Sequence, residues 1–461
     1  MNETRALARF VAQTKFTDLP RRLVDNLKIT VLDTFGAAFV GSVQPWAQRI
    51  LTVVQTLGGT PEAAVISQGW RTDVSRAALA NGVLIGAFEC EPLTGSHASG
   101  TVLPAALAVC ERERFGGAAF LTALAVGFEV SARIARTAVG LETVRGFHNP
   151  GTQGPFGAAA AVGKLYGFDE ERLTDALGIA GSSSAGLLEF AWSGGDTKRL
   201  HLGRAGQLGL ESALLARQGV RGPATVLEGR YGYFNAFSTP PKMEKLVEGL
   251  GIEWAIEPPS LKSYATHVTQ QAVVAAIQEF KRGHPLDPKA ITRVAIRGAP
   301  RIMEERHTER APRDVLGGQY SLPFTTAVAL TRDMANPLVY NAEAVADPIV
   351  RDLARRIELV PLAEERHEAP GVWPAEILIE AAGQRHVLPT RPHKGAPSNP
   401  FTPDEAREKF RRYTASLLDA KRSSAIIDAL GRCEQLIDMA EVADLLRHSP
   451  SAMGSTSGRS R

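Results

Sequence analysis

Leu23, Leu27, Val31, Phe35 and Phe39 stand at four-residue steps through PRRLVDNLKITVLDTFGAAFVG (20–41), which draws one apolar stripe along a helix. Residues 74–88 and 101–111 repeat the pattern. Residues 117–138 are apolar nearly all round, so a helix there has to be buried on most sides. Small residues crowd FGAAAAVGK (156–164) and GIAGSSSAGL (178–187), where another helix or a ligand can approach the backbone closely. Asp169-Glu170-Glu171 opens a further helix with acids in its first turn. A chain that begins this way must bury helix against helix.

The pattern changes after about residue 265. A helix over 268–282 leads to AITRVAIRG (290–298), which has strand composition, and helices near 319–332 and 342–356 follow. EILIEAAG (376–383) and QRHVLPT (384–390) read as a hairpin turning at Gly383. RPHKGAPSNPFT (391–402) reads as a linker, and Thr402-Pro403-Asp404-Glu405 then caps a new helix with Pro at its first position. Helices continue to about residue 447. The expected fold is mainly α with an α+β lid: a large all-helical domain, 1–265 plus 402–447, interrupted by a smaller α+β domain, 266–401. The tail 448–461 is low in complexity and is expected to be disordered.

Composition excludes several function classes. A 44% hydrophobic content excludes disorder of the body, and a net charge of +3 is too weak for a nucleic-acid partner. Three cysteines (Cys90, Cys110, Cys433) with no C-x-x-C spacing exclude a disulfide framework and a cysteine zinc site, and fit a reducing compartment. MNETRALARF has no apolar leader core, and the apolar runs break off short of the about 18–20 residues that a membrane span needs, so no membrane partner and a cytoplasmic location are expected. The sequence holds no Walker A motif, no G-x-G-x-x-G after a strand, no H-E-x-x-H and no G-x-S-x-G, so nucleotide cofactors, zinc proteolysis and serine-hydrolase chemistry are not signalled.

Four clusters carry chemistry. GAFECEPLTGSHASGTVLP (86–104) holds Glu89, Glu91 and His97 before an apolar helix, where a His beside carboxylates and a helix N-terminus suits proton transfer near neutral pH. RGFHNPGTQGPF (145–156) holds His148 in a loop. GGDTKRLHLGRA (194–205) places Lys198, Arg199, His201 and Arg204 within seven residues with only Asp196 to offset them. SLKSYATH (260–267) brings Lys262, Tyr264 and His267 near the change of pattern, and domain junctions often hold ligands. The plainer alternatives are a capped polar loop, a hydrogen-bonded structural His, a solvated basic helix face, and an exposed Lys beside a packed Tyr. Tyr320 and Phe324 read as core, Cys90 as an inert thiol, and His307, His367, His386, His393 and His448 as surface residues. Together the clusters supply cations and His with few acids, a lining suited to a small polycarboxylate whose aci-carboxylate charge needs stabilising.

Six blocks in order resemble the 2-methylcitrate dehydratase family, called MmgE/PrpD, over roughly residues 3–447. They are LARFVAQTKFTDLPRRLVDNLKITVLDTFGAAFVG, SHASGTVLPAALAVCE, GFHNPGTQGPFGAAAAVGKLYGFD, GGDTKRLHLGRAGQLGLESALLARQGVRGP, LKSYATH and GQYSLPFTTAVAL. The family includes dehydratases of methylcitrate, cis-aconitate decarboxylase and an iminodisuccinate epimerase. The resemblance implies a pocket between a large helical domain and a smaller α+β lid, no metal, and usually a homodimer. It implies site roles for Glu89, Glu91, His97, His148, Lys198, His201, Lys262 and His267. The expected site takes His97, Glu89, Lys198, Lys262 and His148 as catalytic, and Glu91, His201, Arg204, Tyr264, His267 and Tyr320 as substrate contacts.

This chain departs from the family pattern at several points. Cys90-Glu91-Pro92 stands where Asp-Asp follows the first acid, Gly86 replaces a His, Ala98 replaces the Pro after the catalytic His, and Gln270-Gln271 stand where a Thr-His pair is expected. A shifted acid and a lost His change which hydroxyl or carboxylate fits. The expected activity is a cofactor-independent lyase on a small di- or tricarboxylic acid, with dehydration ahead of epimerisation and epimerisation ahead of decarboxylation. The alternative is a metabolite-binding protein on the same scaffold.

Overall fold

A computed structural model describes residues 2–138, 141–238, 243–363 and 372–447. The tail 448–461, with His448, and His367 lie outside the described residues. The molecule is mainly helical with two small sheets.

The periodic segment folds as the helix Arg21–Ser42, with Leu23, Leu27, Val31, Phe35 and Phe39 all buried in an apolar cluster. The helix expected over 117–138 forms with those bounds, Gly117–Ala138. By length and composition it could cross a membrane, but 83% of its apolar window is buried inside the fold, against Asn149–Leu165 above all. Small residues explain how closely these helices cross. A Cβ on Gly157 would lie 2.6 Å from the Gly127 carbonyl, and one on Gly203 would lie 2.2 Å from the Leu79 carbonyl. Helix Thr197–Arg217 therefore runs in backbone contact with Val74–Ile85, which fixes the direction of Lys198 near its start.

A two-stranded sheet pairs β1 (Ala63–Ala64) with β2 (Arg71–Thr72), and a second apolar cluster is built on a four-stranded sheet. Strand β3 (Ile291–Gly298) pairs parallel with β4 (Glu358–Pro361) and antiparallel with β5 (Ala375–Ala381), which pairs antiparallel with β6 (Gln384–Pro389). Its hairpin turns through Ala382 and Gly383, both at positive φ (51° and 77°). Strand β4 has no sequence signal: four residues ending in Pro carry no alternation, and Pro is tolerated because the strand is at the sheet edge. Helices Gln271–Gly283 and Leu322–Thr331 pack together beside this sheet. The helix expected over 342–356 is broken at Asp347, which caps a fresh start at Pro348.

After the sheet the chain returns to the first helices. Thr402 forms a capping box with Glu405, and the helix Pro403–Thr414 packs along Arg21–Ser42. There the buried Lys409 ammonium meets Asp33 at 2.6 Å and donates to the Lys262 carbonyl at 2.5 Å. The second cluster also takes in Ala37, Val40, Phe88, Cys90 and Tyr413 from this side. The two clusters therefore meet along the segment that carries Glu89 and Glu91.

Candidate active site

After Val74–Ile85 the chain makes tight left-handed turns. Glu89 has φ 58°, and Gly95, Ser96 and His97 follow one another at φ 61°, 58° and 63°. Each non-glycine residue in that region costs roughly 1–2 kcal/mol, and such strain collects at functional sites. Neighbouring elements hold the turn in place. Leu93 N–H donates to the Ser260 carbonyl at 2.8 Å, Ser99 Oγ to the Pro92 carbonyl at 3.0 Å, and Gln319 Nε2 to the Phe88 carbonyl at 3.0 Å.

The turn aims two carboxylates inward. Glu89 is 2% exposed and lies between two buried ammonium groups: Oε2 accepts from Lys262 Nζ at 2.8 Å, and Oε1 pairs with Lys198 Nζ. Burial, reinforced by Lys262, Arg199 and Arg306, holds the Lys198 ammonium well below the ordinary lysine range. Burial also lowers Lys262, against the pull of Glu91. Glu91 is fully buried and its Oε1 lies 2.9 Å from His97 Nδ1. Burial pushes its carboxyl up, but Lys262 at 3.8 Å and the His97 contact outweigh burial and keep Glu91 below the usual carboxylate range. Ionised Glu91 can only accept, so His97 Nδ1 carries the proton and Nε2 is left as the free ring nitrogen.

Two further imidazole groups face the same space. His148 immediately precedes the helix Asn149–Leu165 and its Nδ1 lies 3.0 Å from His201 Nδ1, so one ring donates and the other accepts. Burial, then His201 and His97, keeps His148 well below the ordinary His range, and burial lowers His201 too. His267 Nδ1 contacts Thr269 Oγ1 at 2.9 Å, and its ring lies 4.5 Å from His307 and 4.8 Å from Tyr320. Burial and nearby His307 and Arg306 hold His267 well below its ordinary value.

These groups share one cavity of about 240 Å³. Of the expected residues Glu89, His97, His148, Lys198, Lys262, His267 and Tyr320 line it. Glu91 and His201 stand behind, bonded to His97 and His148. Tyr264 does not reach the cavity: it packs against the second apolar cluster. Arg204 is exposed and bonds Gln207 at 2.8 Å. Six residues beyond Lys198 is about 240° around the helix, which turns Arg204 away.

Sequence reasoning missed Arg301, Arg306, Thr269 and Trp373, which also line the cavity. Arginines in a charged stretch such as RIMEERHTER (301–310) read as solvated, so no sequence signal marked them. Two histidines expected at the surface are buried. His307 donates from Nδ1 to the Tyr320 carbonyl at 2.9 Å, and His393, within the 391–402 segment, is 4% exposed. Charged neighbours in sequence do not report where a ring points. Burial drives both down to about 4. The buried Cys90 thiol is pushed up to about 12, by burial first, which leaves it unreactive. Among the described residues, no group of three or more His, Cys, Asp or Glu side chains could hold a metal ion.

The cavity thus places a carboxylate-paired His beside buried ammonium groups, an arrangement able to move a proton while holding negative charge. Comparison with known proteins gives two family matches: the MmgE/PrpD N-terminal domain over residues 5–246 and the MmgE/PrpD C-terminal domain over 264–432. The chain is 27% identical to the cis-aconitate decarboxylase-like protein oryM of Aspergillus oryzae, across 96% of this chain and 97% of that protein. It is 27% identical to a cis-aconitate decarboxylase of Aspergillus terreus, across 93% and 92%. It is 25% identical to the cis-aconitate decarboxylase of Homo sapiens, across 98% and 96%.

Proposed function

The chain belongs to the MmgE/PrpD family, and from that premise we propose that it is a lyase acting on a small tricarboxylic acid without a cofactor. The observation that supports this most is the pairing of His97 with ionised Glu91 on one cavity wall with Lys198 and Lys262. In this reading the lysines hold substrate carboxylates, and Glu89 keeps the two ammonium groups together when the cavity is empty. His97 Nε2 exchanges the proton at the carbon beside a carboxylate. His148 is neutral at pH 7 and serves as a second donor or acceptor. The protein is taken to work as a cytoplasmic homodimer with no nucleic-acid or membrane partner.

Two reactions fit these groups. In decarboxylation the bond between carbon and a carboxylate breaks, carbon dioxide leaves, and the electron pair left on carbon takes a proton that His97 Nε2 has first picked up from solvent. The names of the relatives favour this reaction over the dehydration that the sequence put first. In dehydration a base takes the proton alpha to a carboxylate, the pair forms a double bond, and hydroxide leaves as water with a proton from a second acid. Its support is that His97, His148 and Glu89 all line the cavity, so a base and a separate acid are both at hand.

Proton NMR in D₂O with cis-aconitate, citrate and methylcitrate tests the proposal. Loss of one carboxylate with deuterium incorporation marks decarboxylation, and new vinyl signals from a hydroxy acid mark dehydration. His97→Gln should abolish either while leaving the fold intact. Undiminished turnover in that variant would remove His97 from the role, and an inert wild-type protein that still binds these acids would favour a metabolite-binding function.

A further inference from the structure

Besides the groups around Glu89, the cavity has a second set of cations that comes entirely from the segment following β3. Arg301 and Arg306 sit on two successive single turns, Pro300–Met303 and Glu305–His307, with Glu304 between them. The Glu304 carboxylate serves both: Oε1 pairs with Arg301 Nη1, and Oε2 accepts from Arg306 Nε and pairs with its Nη2, each at 3.0 Å. One carboxylate against two guanidinium groups leaves a net positive charge. It also leaves donors unused by Glu304, on Arg306 Nη1 and on Arg301 Nε and Nη2, since each guanidinium carries five N–H groups.

Both side chains line the cavity, and the Arg306 side chain is only 8% exposed. The platform beneath them is fixed. Ile302 is fully buried, Ala299 N–H donates to the Pro374 carbonyl at 3.1 Å, and His307 is tied to the Tyr320 carbonyl. Glu304 thus does for the arginines what Glu89 does for the lysines. It keeps like charges together while the site is empty, which orients them for an incoming carboxylate.

We propose that Arg301 and Arg306, oriented by Glu304, form a second carboxylate subsite that selects acids bearing a carboxylate remote from the one held by Lys198 and Lys262. The inference rests on the reading of the cavity as a polycarboxylate site. It makes these arginines determinants of specificity, and acids with a single carboxylate end become poor ligands.

Calorimetry with two unreactive probes tests it on the full-length protein: tricarballylate, and methylsuccinate, which lacks one terminal carboxylate. Wild type should bind tricarballylate more tightly. Arg306→Gln should weaken tricarballylate about 10- to 100-fold, the worth of a charged hydrogen bond, and change methylsuccinate less than about twofold, with Arg306→Lys recovering part of the loss. Arg301→Gln, at a half-exposed side chain, should act in the same direction and guards against a folding defect in the first variant. Equal weakening of both probes, or no weakening, would overturn the subsite. A wild-type protein that prefers tricarballylate yet turns over no acid would leave the subsite standing and remove the lyase reading instead.

Discussion

Replacing His307 with Asn should remove about 2 kcal/mol of the stability that the protein otherwise loses between pH 7 and pH 5. His307 is fully buried, and its Nδ1–H donates to the Tyr320 carbonyl at 2.9 Å. The other ring nitrogen has no hydrogen-bond partner among the described residues. Protonating it would bury a charge beside Arg306, and burial foremost, then Arg306, drives the ring down to about 4. In the unfolded chain His titrates near 6.5. The folded value is therefore depressed for a base. The unfolded state binds more protons as pH falls below about 6.5, and stability is lost from there down to about 4. The difference of about 2.5 pH units corresponds to about 3 kcal/mol in full, of which about 2 kcal/mol falls between pH 7 and pH 5.

Asn retains an N–H donor for the Tyr320 carbonyl and does not titrate. With an unfolding entropy of about 2.1 cal/mol/K per residue over a chain of 461 residues, the effect is a difference of about 2 °C. Circular dichroism melts of both proteins at the two pH values read it directly. His393, also near 4, lowers both melts equally and cancels. If the melting temperature falls by the same amount in wild type and His307→Asn, the ring does not carry the depressed titration and the reasoning fails.

Two packing predictions follow. Lys409→Met should destabilise by about 3–5 kcal/mol, because the buried Asp33 carboxyl, which burial already pushes above the usual carboxylate range, is left without its cation; adding Asp33→Asn should recover most of that in a double-mutant cycle of thermal melts, and an unrelieved double variant would contradict the pairing. Gly203→Ala should cost about 1–3 kcal/mol from overpacking, since its Cβ would meet the Leu79 carbonyl at 2.2 Å. The same substitution should lower turnover by displacing the helix that carries Lys198, whereas a variant as stable and active as wild type would show that the crossing has slack.

Much of the fold was legible because its signals are local. The four-residue apolar steps of 20–41, the Asp169 cap whose carboxylate accepts from Arg172 N–H, the Thr402 capping box and the turn at Gly383 each depend on residues a few positions apart. Strand β4 escaped because an edge strand of four residues needs no pattern of its own, only the neighbouring β3 to pair with. In the candidate site, residue type and order put forward Glu89, His97, His148, Lys198, Lys262 and His267, and these six line one cavity. Type and order did not reveal that Arg204 faces water, that Tyr264 packs elsewhere, or that Arg301 and Arg306 face inward.

By itself the sequence determined which long segments become helices and several of their caps, since periodicity and capping are settled within a turn or two of chain. Only the tertiary structure decided which charges share a buried space. Lys262 reaches Glu89 across 173 residues because helices meeting at small residues bring the two apolar clusters together along the 88–91 segment. Partners of that kind are chosen by where packed elements cross, and once water is excluded each buried charge must find its opposite among the groups that the crossing supplies.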